Sequence, residues 1–145
     1  MFRGSSQARV DEKGRLKLPA DFKRLVDEQY GPVFYITSRD GVDAEVFPMK
    51  EWEAIEQAIK VLPGSAAKKK FLDATNYYGA VVEMDAQGRV LIPQKLREKA
   101  SVTGDVTVMG QQTYLRVVND ELHQAKLDAN PVTDDEIESL NIVGL

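Results

Sequence analysis

Val10-Asp11-Glu12-Lys13-Gly14-Arg15-Leu16-Lys17-Leu18-Pro19 recurs 74 residues later as Met84-Asp85-Ala86-Gln87-Gly88-Arg89-Val90-Leu91-Ile92-Pro93. Asp, Gly, Arg and Pro hold the same four places in both stretches. Val10/Met84, Leu16/Val90 and Leu18/Ile92 are apolar in both, as are Phe22/Leu96 beyond them. At average residue usage four such identities arise about once in 10⁵ placements. The chain therefore reads as an internal duplication.

Each copy has the same physical reading. A strand ends at Val10 or Met84, and Asp-x-x-Gly makes a tight turn. Asp11 and Asp85 suit the turn entry because a carboxylate accepts backbone N–H groups two or three residues on. Gly14 and Gly88 supply the positive φ that a short loop needs. A return strand follows, with Leu16 and Leu18 two apart in the first copy. Pro19 and Pro93 end it and suit the first turn of a helix. In the first helix Phe22, Leu25 and Val26 share one face.

A second strand pair follows each helix. The first is Val33 to Thr37 and Ala44 to Phe47, turning at Arg39-Asp40-Gly41. The second is Asp105 to Met109 and Thr113 to Val118, with a turn expected near Gly110. Pro48 opens a helix whose apolar face is Met49, Trp52, Ile55, Ile59 and Leu62. A further helix is expected over roughly Ser65 to Asn76, and Asn119 is placed to cap one running to about Leu127. Pro131 breaks that helix, and the acidic end reads as a loosely attached one.

A unit of 40–50 residues is too small to bury much core alone. The two copies are therefore expected to pack on each other as an internal pseudo-dimer. The fold class is mainly β with α-helices (α+β), two interleaved hairpin units with helices outside. The divisions are 1–52 and 79–122 for the repeats, 53–78 for connecting helices, and 123–145 for the C-terminal helix and acidic tail.

The chain has 145 residues and a formal net charge of −4, which taken alone argues against a nucleic-acid binder. The charge is uneven. Residues 1–24 carry seven bases against three acids; residues 119–145 carry seven acids against one base. This suggests a basic working surface beside an acidic tail. Scatter beside a solvated terminal helix is the plainer alternative.

There are no cysteines, which excludes a disulfide scaffold, a thiolate metal site and a cysteine nucleophile. The N-terminal residues hold no signal-peptide-like apolar run, and no stretch approaches a membrane span. The expectation is a cytoplasmic, soluble protein.

Catalysis has little support. His123 is the single histidine, so no His-based metal cluster exists and a Ser/His/Asp triad would need that one residue. Its place at a helix start reads as structural. No Walker or dinucleotide glycine loop is present. No catalytic residue, metal or cofactor is expected. Lys68-Lys69-Lys70 reads as a solvated helix face, with a subsidiary place near phosphates as the alternative.

The paired turns carry the chemistry. Arg15 and Arg89 are expected at exposed loop tips, with Lys13 and Lys17 beside the first. Arginine can hold a phosphate bidentately or read guanine in the major groove. Lysine adds phosphate attraction. The alternative is that Arg15 and Arg89 fold back on Asp11 and Asp85 as ion pairs, each contributing only ~0–1 kcal/mol when exposed.

At these residues the chain resembles the MraZ family of bacterial transcriptional regulators. The resemblance rests on Met1-Phe2-Arg3-Gly4, both Asp-x-x-Gly-Arg loops, Val46-Phe47-Pro48-Met49-Lys50-Glu51-Trp52, and Gly79-Ala80, spanning about residues 1–118. It implies a duplicated AbrB-like (SpoVT-AbrB) swapped-hairpin β-barrel. It implies binding to double-stranded DNA at promoter repeats of the division and cell-wall gene cluster, as a repressor. Ring-shaped homo-oligomers and nucleoid association belong to the same implication. Arg15 and Arg89 match the motif arginines, Asp11 and Asp85 the motif acids, and Lys13 the basic residue before the first glycine.

The second loop departs from the family pattern, with Ala86 where lysine is frequent. Asn76-Tyr77-Tyr78-Gly79 stands in place of Phe-Phe-Ser-Gly, and the segment after Gly110 lacks the usual aromatic strand end. The expected DNA-binding residues are Arg15, Lys13, Lys17, Arg89 and Arg3, with Asp11, Gly14, Asp85 and Gly88 shaping the loops. No membrane or small-molecule partner is expected. The alternative function is a non-DNA oligomeric scaffold or partner-binding module using the sheet and the Trp52 helix.

Overall fold

A computed structural model describes all 145 residues. The first half runs β1 (Ser5–Val10), β2 (Arg15–Lys17), α1 (Ala20–Gln29), β3 (Val33–Thr37) and β4 (Ala44–Pro48). Two helices follow, α2 (Met49–Lys60) and α3 (Ala66–Tyr77). The second half runs β5 (Ala80–Glu83), β6 (Arg89–Leu91), α4 (Gln94–Ala100), β7 (Gly104–Gln111) and β8 (Tyr114–Val118). Helices α5 (Asp120–Ala129) and α6 (Asp134–Ser139) close the chain.

All eight strands form one antiparallel sheet in the order β5-β3-β4-β8-β7-β1-β2-β6. The halves exchange their first strands. β1 pairs with β7 of the second half, and β5 pairs with β3 of the first. β2 pairs with β6, with Leu16 opposite Val90, and β4 pairs with β8. Ends β5 and β6 lie against each other, so the sheet almost closes into a barrel. This is the expected α+β swapped-hairpin pseudo-dimer.

The exchange reaches into the loops. Leu18 donates its N–H to the Gly88 carbonyl at 3.0 Å, and Ile92 donates to the Gly14 carbonyl at 2.9 Å. Each return strand is therefore stitched mainly to the other half; within the first half β1 and β2 share one register pair, Val10 with Leu16.

Residues 74 apart also share the core. Leu16/Val90, Leu18/Ile92, Phe22/Leu96 and Val26/Ala100 are all buried in one cluster. Burying each larger apolar side chain contributes about 1.5–3 kcal/mol, and neither half could complete these contacts alone. Pro19 and Pro93 start the helices as expected, their carbonyls accepting from Lys23 and Arg97 at 2.9 Å.

A smaller cluster seats α2 and α3. Trp52 stacks on Tyr35 with ring centroids 4.6 Å apart and also meets Phe47 and Phe71. The Tyr35 and Thr37 hydroxyls donate to the Thr75 carbonyl, pinning the end of α3 to β3. Asn119 caps α5 by accepting from the Leu122 N–H. Neither α5 nor α6 has a buried residue, and Thr133 and Glu136 form a capping box on α6.

Three local expectations need correction. The β7–β8 turn falls at Gln112, which takes φ 64°, and not near Gly110. Gly110 lies within β7, and the position is glycine because the Phe2–Arg3 backbone crosses where a side chain would be. Met84 lies just past the end of β5. Helix α2 ends at Lys60, leaving Leu62 outside it and exposed.

Candidate nucleic-acid interface

The two Asp-x-x-Gly-Arg loops share one geometry. Asp11 Oδ1 accepts the N–H groups of Lys13 and Arg15, both at 2.9 Å. Asp85 Oδ1 accepts those of Gln87 and Arg89, both at 2.9 Å. Gly14 and Gly88 donate to the carbonyls of Asp11 and Asp85 at 3.0 Å. Their φ angles, +87° and +78°, are ones that side-chain-bearing residues rarely adopt. The Arg15 and Arg89 backbone N–H groups hold the carboxyls of Asp11 and Asp85 below the usual range, with smaller help from the Lys13 and Gln87 N–H groups.

The arginines are where the loops differ. Arg89 Nε donates to Asp85 Oδ2 at 2.9 Å, and its Nη1 lies 3.9 Å from Asp11. Arg15 forms no side-chain hydrogen bond or ion pair. Fold-back therefore holds for the second loop and not for the first. Both arginines are half-buried, and not at fully exposed tips, because each loop rests against the other half.

Strand alternation sets the outer surface. Leu16 and Val90 point inward and are fully buried, so their neighbours point outward. In register, Lys17 lies opposite Arg89 and Arg15 opposite Leu91. The outer face of the β2–β6 ribbon thus carries Arg15, Lys17, Arg89 and the exposed Leu91. Arg15, Lys13 and Arg89 also line a shallow concavity with Arg9, Asp11 and Glu12. Arg9 is engaged with Asp105 at 3.0 Å.

Arg3 is not part of this group. It lies beyond the far end of β1, in a separate recess with Asp21, Phe22 and Arg24. Eight residues of extended chain, about 26 Å, separate it from Asp11. Lys68 is also committed, donating from Nζ to the Leu62 carbonyl at 2.9 Å. Trp52 is 5 % exposed, spent on packing within its own chain.

Two cations at the loops escaped the sequence reading. The Arg97 guanidinium lies against Gly14, and the Lys23 stem lies 3.0 Å from where a Gly88 Cβ would be. They too are 74 residues apart, so the repeat alignment carried past Pro19 and Pro93 would have paired them.

No helix is long and apolar enough to cross a membrane. The sequence pattern of the family described as "MraZ protein, putative antitoxin-like" matches residues 1–75 and 79–131. A protein of Acidobacterium capsulatum named "Transcriptional regulator MraZ" is 59 % identical over 146 residues, covering 100 % of both chains. A relative of the same name from Koribacter versatilis is 45 % identical, again covering 100 % of both. One from Carboxydothermus hydrogenoformans is 38 % identical over 84 % of this chain and 83 % of its own. With both loops inside the matched residues and relatives of this identity end to end, the chain belongs to the MraZ family.

Proposed function

We propose that this chain is a transcriptional regulator that binds double-stranded DNA with the outer face of the β2–β6 ribbon. The carrying observation is that Arg15 stands on a cation-lined surface with no carboxylate holding its guanidinium. The names of the relatives support the same reading. A two-stranded ribbon fits the major groove of B-DNA. Arg15 takes the base-reading role, and Lys13 and Lys17 take phosphates. Arg89 takes a lesser share, because it must first leave Asp85. Arg3, remote from the ribbon, is left to a separate phosphate contact.

A single ribbon offers few contacts. A ring-shaped homo-oligomer would present many, and weak contacts add when promoter repeats are spaced to match. The regulator is proposed to act as a repressor of the division and cell-wall gene cluster, in the cytoplasm and on the nucleoid.

The test is a salt titration of binding to the DNA just upstream of its own gene. Three phosphate contacts per protomer give a loss of about 40-fold between 50 and 200 mM salt, from a slope near −0.9 per contact. Absence of salt-sensitive DNA binding would overturn the proposal in favour of a non-DNA scaffold.

A further inference from the structure

Helices α1 and α4 are equivalent in the duplication, yet their loop-facing cations are held differently. Lys23 on α1 leans against Gly88 and donates to Asp27 at 2.7 Å, one turn further on. Arg97 on α4 leans against Gly14 in the corresponding way. The residue corresponding to Asp27 is Ser101, which ends α4 with φ 53°. No carboxylate therefore neutralises Arg97. It makes no ion pair, and its Nε is buried without a hydrogen-bond partner. Glu98, its neighbour on the helix, is engaged by Gln94 at 3.0 Å.

The consequence is an uneven division of charge. At the second loop Arg89 is held by Asp85, Lys23 is held by Asp27, and Ala86 and Gln87 add no charge. At the first loop Arg97 lies against Gly14, whose chain neighbours are Lys13 and Arg15, and none of the three cations has an ion-pair partner. Asp11, the nearest loop acid, spends Oδ1 on two backbone N–H groups. Glu12, the loop's other acid, forms no ion pair with them, and an anion with several acceptor oxygens can take the donors these three cations leave free.

We propose that Arg97 completes a phosphate seat over Gly14, so that the second half of the chain lends its cation to the first half's loop. The inference rests on the DNA-binding reading and deepens it. The occupant is a backbone phosphate of the duplex gripped by Arg15. Arg97 then contributes affinity and salt dependence without sequence preference. It also makes the two halves inequivalent, with a helix of the second half bracing the loop of the first.

The experiment is fluorescence-anisotropy titration of the full-length protein over a range of salt. The probes are a duplex of its own upstream DNA and an unrelated duplex of equal length. Arg97→Gln is expected to weaken binding to both by the same factor and to lower the salt slope by about 0.9 per bound protomer. Arg97→Lys should keep the wild-type slope. Lys23→Gln, whose cation is already engaged, should leave it unchanged.

Ser101→Asp supplies the partner found in the first half, and should lower the slope as Arg97→Gln does while preserving Arg97 itself. It serves as the reporter if Arg97→Gln melts below the assay temperature. A wild-type slope in Arg97→Gln and Ser101→Asp, beside weakened binding in Arg15→Ala, would overturn this inference alone. Wild-type protein without salt-dependent binding would overturn the DNA reading and this inference with it.

Discussion

Arg89 donates from Nε to Asp85 Oδ2 at 2.9 Å, closing the second loop on its own side chain. Both partners are about one-third exposed, so solvent screening weakens this tie without removing it. A base-reading arginine contributes about 1–3 kcal/mol of discrimination, and one that must first break a tie gives up part of it. Arg15 has no such tie. The two Asp-x-x-Gly-Arg loops therefore differ in side-chain placement and not in backbone geometry.

The carboxylates that shape the loops set an acid limit. Asp11 and Asp85 have lowered pKa values, chiefly from the backbone N–H groups of Arg15 and Arg89. A depressed folded-state value stabilises the fold above the unfolded value, about 3.9. That contribution is lost as pH falls through the folded value. Amide hydrogen exchange at Arg15 and Arg89 should accelerate together below about pH 4, relative to their neighbours in β2 and β6. Unchanged relative protection down to pH 2 would count against the carboxylates as the loop-forming element.

Gly14 answers to two demands, its φ of +87° and the guanidinium of Arg97 against its face. Gly14→Ala should cost about 1–2 kcal/mol from the left-handed backbone alone, and more from displacing Arg97. Gly88→Ala, at +78°, meets only the flexible stem of Lys23 at 3.0 Å. Thermal melts should rank wild type above Gly88→Ala, and Gly88→Ala above Gly14→Ala. Equal losses would mean that Arg97 does not constrain the first loop.

The acidic end is available to act on charge at a distance. Helices α5 and α6 have no fully buried residue, and residues 119–145 carry seven acids against one base. Removing residues 128–145 should raise affinity for unrelated DNA at low salt and leave thermal stability nearly unchanged. Repulsion of this kind is screened within about 10 Å at 0.1 M salt, so the gain should vanish there. An unchanged affinity at low salt would mean that the tail does not oppose DNA.

The loops, their glycines and the helices after Pro19 and Pro93 were legible because their causes are local. Asp, Gly and Pro act through their own φ angles and side-chain hydrogen bonds within four residues. The shared core was legible for a different reason, the repeat itself, which sets apolar Leu16/Val90 and Leu18/Ile92 at matched places. The placement of Gly110 was not. A glycine signals a turn or a close approach equally well, and only the crossing of Phe2 and Arg3 decides for the second. The different fates of Arg15 and Arg89 were also hidden. Each follows its Asp by four residues, yet only Arg89 closes on its own Asp. The separation of Arg3 from the loops was hidden too, since only the fold shows that strand β1 lies between them.

The central claim is that the first loop reads DNA through Arg15 and the second does so less. The direct measurement compares Arg15→Ala and Arg89→Ala for binding to the DNA upstream of the protein's own gene, at fixed salt, with an unrelated duplex as control. Arg15→Ala should lose about 1–3 kcal/mol per contacting loop and most of its preference for the upstream DNA. Arg89→Ala should lose less. Arg15→Ala binding as tightly and as selectively as wild type would contradict the account.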